Sequence, residues 1–187
     1  MSFPDSIPAR MATPLGFVAL LFSGAIFGFF YAWTVSTMWG LDAADPRVAI
    51  EAMQAMNASV RNAAFAPVFF GTPFVLLFTA SAAMAADRRA AWLFGVAAVV
   101  YFVGALMLTV TVNVPLNEAL AATAVPIERA QAALVWSEYS GRWQLFNEIR
   151  MALSGVSLLL TGLGLWRLGR TRRHHMLSAA RAGHAMS

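Results

Sequence analysis

Four apolar runs limit this chain more than anything else in it. They lie at about 14–39, 63–86, 91–112 and 145–166, and roughly twenty consecutive apolar residues are what a helix needs to cross the hydrocarbon of a bilayer. The expected fold is therefore all-α: an integral membrane four-helix bundle in a single domain spanning residues 1–187. Composition agrees. The sequence is 59% hydrophobic and 12% charged, against roughly a quarter charged in soluble domains. The first run follows Arg10 and could pass for a signal peptide, but it is too long and has no Ala-x-Ala cleavage site. We read it as a retained helix.

The charges give an orientation. Every basic residue is an arginine, and Arg167, Arg170, Arg172, Arg173 and Arg181 crowd the end of the chain, while Asp87, Arg88 and Arg89 are the only charges between the second and third runs. Positively charged short loops stay in the cytoplasm. Both termini and the 87–90 turn are thus expected inside, with the 40–62 and 113–144 connections outside, in a multi-pass protein of the cell membrane. A basic tail at 167–187 just past a membrane helix fits anionic lipid better than nucleic acid, so membrane lipid is an expected partner and nucleic acid is not. The ends, about 1–12 and 171–187, are expected to be mobile. No cysteine is present, which rules out disulfides and thiol chemistry.

Local signals refine the bundle. Gly24 and Gly28, with Gly16 and Ser23 nearby, are the small residues at which helix backbones approach closely in lipid. Asp45 followed by Pro46 is an N-cap and a first-turn proline. They predict an extra outer helix in the first connection, running on into the second membrane helix. Pro67, Gly71 and Pro73 are expected to bend that second helix. The third helix closes with "TVNVPLN", where Pro115 should introduce a kink. If the helix continues, Asn113 and Asn117 lie one turn apart on one face, with Thr109 one turn further in. A break near Pro126 precedes one long helix, from about 127, that extends out of the membrane before its crossing.

That long helix carries the densest chemistry. Within "WSEYSGRWQLFNEIR", Trp136, Tyr139, Ser140, Trp143, Asn147 and Arg150 share an arc of about 100°. Val135, Phe146, Ile149 and Leu153 form a greasy face beside it, and Glu138 with Arg142 makes an exposed pair. The tryptophans and Tyr139 also suit an interfacial aromatic belt. Arg150 does not, because the helix rises roughly 24 Å from it to Trp166, leaving it at the edge of the hydrocarbon. Ionisable groups there face the bundle interior or a wet cavity and have partners; Glu148, Glu118 and Glu51 are the candidates. The outer helix offers a matching stripe of Gln54, Asn57 and Arg61, bordered by Met53 and Met56.

These faces predict a pocket at the outer end of the bundle, walled by aromatics and floored by amides and arginines. Its chemistry-bearing residues would be Arg150, Asn147, Asn113 and Asn117. Gln54, Asn57, Arg61, Trp136, Tyr139 and Trp143 would contact a hydrophobic aromatic small molecule. A polar network that only holds the helices together would use the same residue types. No metal or cofactor is expected, since His174, His175 and His184 all lie in the tail and the bundle offers no histidine or cysteine to zinc, copper or haem. Met53 and Met56 have the spacing of a Cu(I) pair. Phosphate-binding loops and Ser-His-Asp sets are absent.

The motifs "MQAMN", "TVNVPLN" and W-x-x-Y-x-x-x-W-x-x-x-N-x-x-R resemble the anthrone oxygenase-like family of small membrane proteins, much of it known only as a domain of unknown function. The resemblance covers about 14–166. It departs at "STMWGL", residues 36–41, where that family has a proline after the methionine. It implies oxidation of an anthrone to an anthraquinone by molecular oxygen, and it maps onto Gln54, Asn57, Asn113, Asn117, Trp136, Tyr139, Trp143, Asn147 and Arg150. Two other roles fit these residues: a non-catalytic membrane module that binds a quinone-like or lipid ligand, and an accessory membrane subunit. Homo-oligomerisation stays open.

Overall fold

The computed structural model describes residues 6–184. Where the expectation of mobile ends concerns 1–5 and 185–187, it lies outside the described residues. Helix α1 (Ile7–Ala32) starts where the Ser6 side chain accepts from the Ala9 amide. It passes through a π-helical turn, Trp33–Thr37, into α2 (Met38–Ala43). Trp39 stands where the resembled family has proline, and the helix runs straight through it. Asp45 then caps α3 (Pro46–Ser59), accepting from the Arg47 amide at 3.0 Å. The Arg47 guanidinium, bonded to the same carboxylate, holds the Asp45 pKa down at about 2.

The outer helix does not run into the second membrane helix as expected. The turn between them belongs to Asn62, whose Oδ1 accepts from the Ala64 and Phe65 amides at 2.9 Å while its Nδ2 donates to Ser59 O at 2.7 Å. These bonds end one helix and start the next, α4 (Phe65–Ala83). Pro73 sits inside α4 and cannot donate to Phe69 O. Tyr101 of the neighbouring helix donates to that carbonyl instead, at 2.9 Å, so the proline leaves no buried acceptor unmet.

Asp87 caps α5 (Arg88–Tyr101) through the Arg89 and Ala90 amides. Two π-helical turns follow, Phe102–Met107 and Thr109–Asn113, and then α6 (Val114–Ala121). Each π turn takes in an extra residue and rotates what comes after it, and such turns gather at functional sites. Pro115 falls in the first turn of α6, where a missing N–H is tolerated. The helix continues past it, so Asn113 and Asn117 do follow each other up one helical run. The last helix, α7 (Arg129–His184), has 56 residues and a length of about 84 Å.

Four helical runs are long and apolar enough to cross a membrane: Ile7–Ala43, Phe65–Ala83, Arg88–Ala121 and Arg129–Thr171. The protein is an all-α, multi-pass membrane bundle. Around it, α1 packs on α4 and α7, and α5 packs on the same two helices. One apolar core, with Ile26, Phe30, Leu76, Phe94 and Tyr101 at its centre, fills the interior. A second, built on Met38, Ile50, Met53, Leu120 and Trp136, joins α2, α3 and α6 to the start of α7. Met53 is therefore core, and the two clusters define a capped end of the bundle opposite the end that carries the tail.

Close helix approach occurs at glycines other than Gly24 and Gly28. A Cβ on Gly16 would meet Leu165 at 2.6 Å, and one on Gly104 would meet Leu153 Cβ at 2.5 Å. At Gly24 the contact would be an ordinary 3.9 Å, and at Gly28 there is nothing within 4 Å. At the tail end, Asp87 clasps α7 by accepting from Arg167 Nε at 3.1 Å and Thr171 Oγ1 at 2.8 Å. Burial pushes the Asp87 pKa up, but the hydrogen bonds from Thr171, the capped amides and Arg167 outweigh it and leave the carboxyl below its ordinary value.

Candidate functional site

The polar stripe of α7 faces inward and meets polar groups from three other helices. Arg150 is 4% exposed and Asn113 and Asn147 are 1% exposed, so these groups depend on protein partners. Arg150 Nη1 donates to Thr109 Oγ1 at 3.0 Å, and Nη2 donates to Asn147 Oδ1 at 2.9 Å. Asn147 in turn donates through Nδ2 to Thr34 Oγ1 at 2.8 Å and to Phe30 O at 3.1 Å. Thr34 and Thr109 both lie in or next to π-helical turns, so those turns deliver the hydroxyls that the stripe meets.

No described acidic side chain forms an ion pair with Arg150. Glu118 instead reaches Arg61, at 3.6 Å on the exposed surface. Glu51 and Glu148 are exposed, and Glu148 lies about 200° round the helix from Arg150. What surrounds the guanidinium is aromatic. Its central carbon lies 4.6 Å from the centre of the Phe30 ring and 5.3 Å from that of Trp143. Arg150 Nε and Asn113 Oδ1 are buried without a hydrogen-bond partner among the described residues.

A second network lies above this one. Asn117 Oδ1 accepts from Tyr139 Oη at 2.8 Å and from Trp143 Nε1 at 2.9 Å. Asn57 Nδ2 donates to Tyr139 Oη at 3.4 Å, and Asn113 Nδ2 donates to Trp143 O at 3.3 Å. Between the two networks and the turn at 60–63 lies a cavity of about 450 Å³. Its walls are Phe29, Phe30, Trp33, Phe65, Phe69 and Trp143; Asn57, Asn117, Thr109 and Arg150 supply its polar points, with Arg61 and Asn62 beside the turn.

The ten residues singled out from the sequence thus divide. Asn57, Arg61, Asn117, Trp143 and Arg150 line the cavity. Asn113, Tyr139 and Asn147 do not, but each bonds to a residue that does. Gln54 and Trp136 lie elsewhere: Gln54 Nε2 ties α3 to the end of α6 by donating to Leu120 O and Thr123 O at 2.8 and 2.9 Å. Trp136 donates to Asp42 at 2.8 Å. Asp42 had no sequence signal, yet it also accepts from Ser140 and Gln144 and so fastens α2 to α7. The phenylalanines of the wall were equally unmarked, because in so apolar a chain a ring facing a cavity reads like a ring facing lipid.

The sequence pattern of the anthrone oxygenase family matches residues 59–160. No curated protein and no solved structure matches the chain. The matched stretch holds the Asn62 turn, both π turns of the third helix, and the α7 stripe from Trp136 to Arg150, which is all of the cavity except Asn57, Phe29 and Phe30 of α1, and Trp33 of the π turn that follows it. It is more than half of the 187 residues, and on that extent the chain belongs to the anthrone oxygenase family.

Proposed function

We propose that the cavity binds a flat polycyclic phenol of the anthrone type and promotes its oxidation by molecular oxygen. The observation that carries this reading is Arg150, a buried guanidinium with no acidic partner among the described residues, on the wall of an aromatic cavity. Taking an ion out of water costs several kcal/mol after relaxation. Two aromatic faces return about 0.5–2 kcal/mol each, and bonds to Thr109 and Asn147 are bonds to neutral groups. The cation remains undercompensated, and an oxyanion on the ligand would supply what the protein does not. A volume of about 450 Å³ falls in the range of roughly 300–1,000 Å³ usual for small-molecule sites.

In the reaction, the anthrone loses a proton from its ring CH₂ to solvent water at the cavity mouth, and its charge moves largely onto the ketone oxygen. Arg150 holds that oxygen, lowering the energy of the anion where the charge develops. The ring carbon then donates an electron pair to O₂, a C–O bond forms, and the peroxide takes up a proton. Loss of water from the hydroperoxide leaves the second quinone carbonyl. One O₂ is consumed and one water released per quinone, with no outside reductant. The aromatic walls stack on the rings and keep water away.

The test is oxygen uptake by the purified protein in detergent, with unsubstituted anthrone added under air. Catalysed uptake that matches anthraquinone formed, one to one and above empty micelles, is the expected result. Saturable anthrone binding with no rate above the micelle background would replace the enzyme by a binding module.

A further inference from the structure

Trp143 fixes the polarity of two neighbouring amides on the cavity wall, Asn117 and Asn57. An indole N–H can only donate, and that of Trp143 lies 2.9 Å from the Asn117 side chain, so the atom facing it has to be the amide oxygen. Tyr139 Oη, 2.8 Å from the same oxygen, must then donate to it as well. Its proton spent, Tyr139 can only accept, and Asn57 has to turn its NH₂ towards it at 3.4 Å. One constraint on one ring nitrogen thus settles amide orientations that are otherwise ambiguous.

Two polar atoms are left over: Asn117 Nδ2, a donor, and Asn57 Oδ1, an acceptor. Neither has a hydrogen-bond partner among the described residues, and both residues line the cavity. Both amides touch the same phenol oxygen, so they are neighbours on the wall. We infer that this pair reads a hydroxyl group on the ligand, with Asn57 Oδ1 accepting its proton and Asn117 Nδ2 donating to its oxygen. Trp143 and Tyr139 are the positioning residues that make the pair one donor and one acceptor. A methyl ether at the same ring position has no proton for Asn57 and is discriminated against.

The inference rests on the reading of the cavity as a polycyclic phenol site, and binding alone tests it, without turnover. The probes are 1-hydroxy- and 2-hydroxy-9,10-anthraquinone, their methyl ethers, and unsubstituted anthraquinone, titrated against the full chain in detergent by quenching of tryptophan fluorescence. For at least one position the hydroxyl form should bind about tenfold more tightly than its ether, the ratio expected for one hydrogen bond. Asn57→Leu should bring that ratio to within about twofold of one, and Tyr139→Phe, which frees Asn57 to rotate, should lower it in part. Both variants should keep their helical circular dichroism and still bind unsubstituted anthraquinone saturably, which a collapsed cavity would not allow. A wild-type ratio near one, or a ratio that survives Asn57→Leu, overturns the inference and leaves the cavity reading standing. Failure of the wild type to bind any of the five quinones overturns both.

Discussion

Arg150 is the residue on which the two networks and the cavity converge, and its sequence context revealed it because an arginine near the hydrocarbon edge is costly. What the sequence withheld was its partner. An acid was expected, and the structure gives Thr109, Asn147 and two aromatic faces instead. Asp42 shows the reverse failure: with no helical periodicity to mark it, its three contacts to α7 follow only from how α2 is laid across that helix. Arg150→Leu should leave a folded protein, since it replaces a buried cation without an acidic partner among the described residues by an apolar side chain among aromatic rings, and should slow anthrone-dependent oxygen uptake by about 10²–10³-fold, as loss of an oxyanion donor does. Arg150→Lys keeps the charge but loses the planar fork, and an intermediate rate is expected. If both variants lose their helical circular dichroism or their thermal transition in detergent, Arg150 is a structural member of the bundle and has no part in binding an anion.

At the scale of the element, the helices themselves were legible and the places where they deviate only in part. Apolar runs of membrane length, and Asp45 with Pro46, located the four crossings and the outer helix. The Asn62 turn is made by bonds to residues within three positions of it, a local asparagine signal that the sequence carries and the expectation of a continuous helix passed over, whereas the π turns have no such local mark. The glycines make the point sharply. The Gly24/Gly28 spacing is a known signature of close approach, yet the tightest contacts fall at Gly16, which the sequence marks only as a neighbour of that pair, and at Gly104 and Gly164, which it does not mark, because the face a helix presents is set by its neighbours. Gly104 lies in the first π turn against Leu153, three residues along α7 from Arg150. Gly104→Ala would place a methyl into Leu153 Cβ and should cost about 1–3 kcal/mol, the penalty of overpacking. Gly28→Ala has open space and should change stability by no more than about 0.5 kcal/mol. Thermal unfolding in one detergent compares the two. Equal melting temperatures would mean that the third helix and α7 are not in the contact described here.

For the whole molecule, the decisive property is that charge is divided between the two ends of the bundle. Arg47, Arg61, Arg129 and Arg142 at the capped end, with the buried Arg150, stand among Asp42, Asp45, Glu51, Glu118, Glu128, Glu138 and Glu148. Every other arginine belongs to the tail end, where Asp87 is clasped by Arg167. Arginine-rich short segments are retained in the cytoplasm, so the tail end should face inward and the capped end outward. The cavity would then open towards the outer leaflet, and an apolar phenol could reach it from there without crossing the membrane. Because the chain has no cysteine, single cysteines report this cleanly. Ala122, just past α6, and Ser178, on the tail part of α7, are both exposed. In intact cells an impermeant thiol reagent should label Ala122→Cys and miss Ser178→Cys, which should react only once the membrane is permeabilised. The opposite pattern would turn the cavity towards the cytoplasm and require its ligand to come from inside the cell.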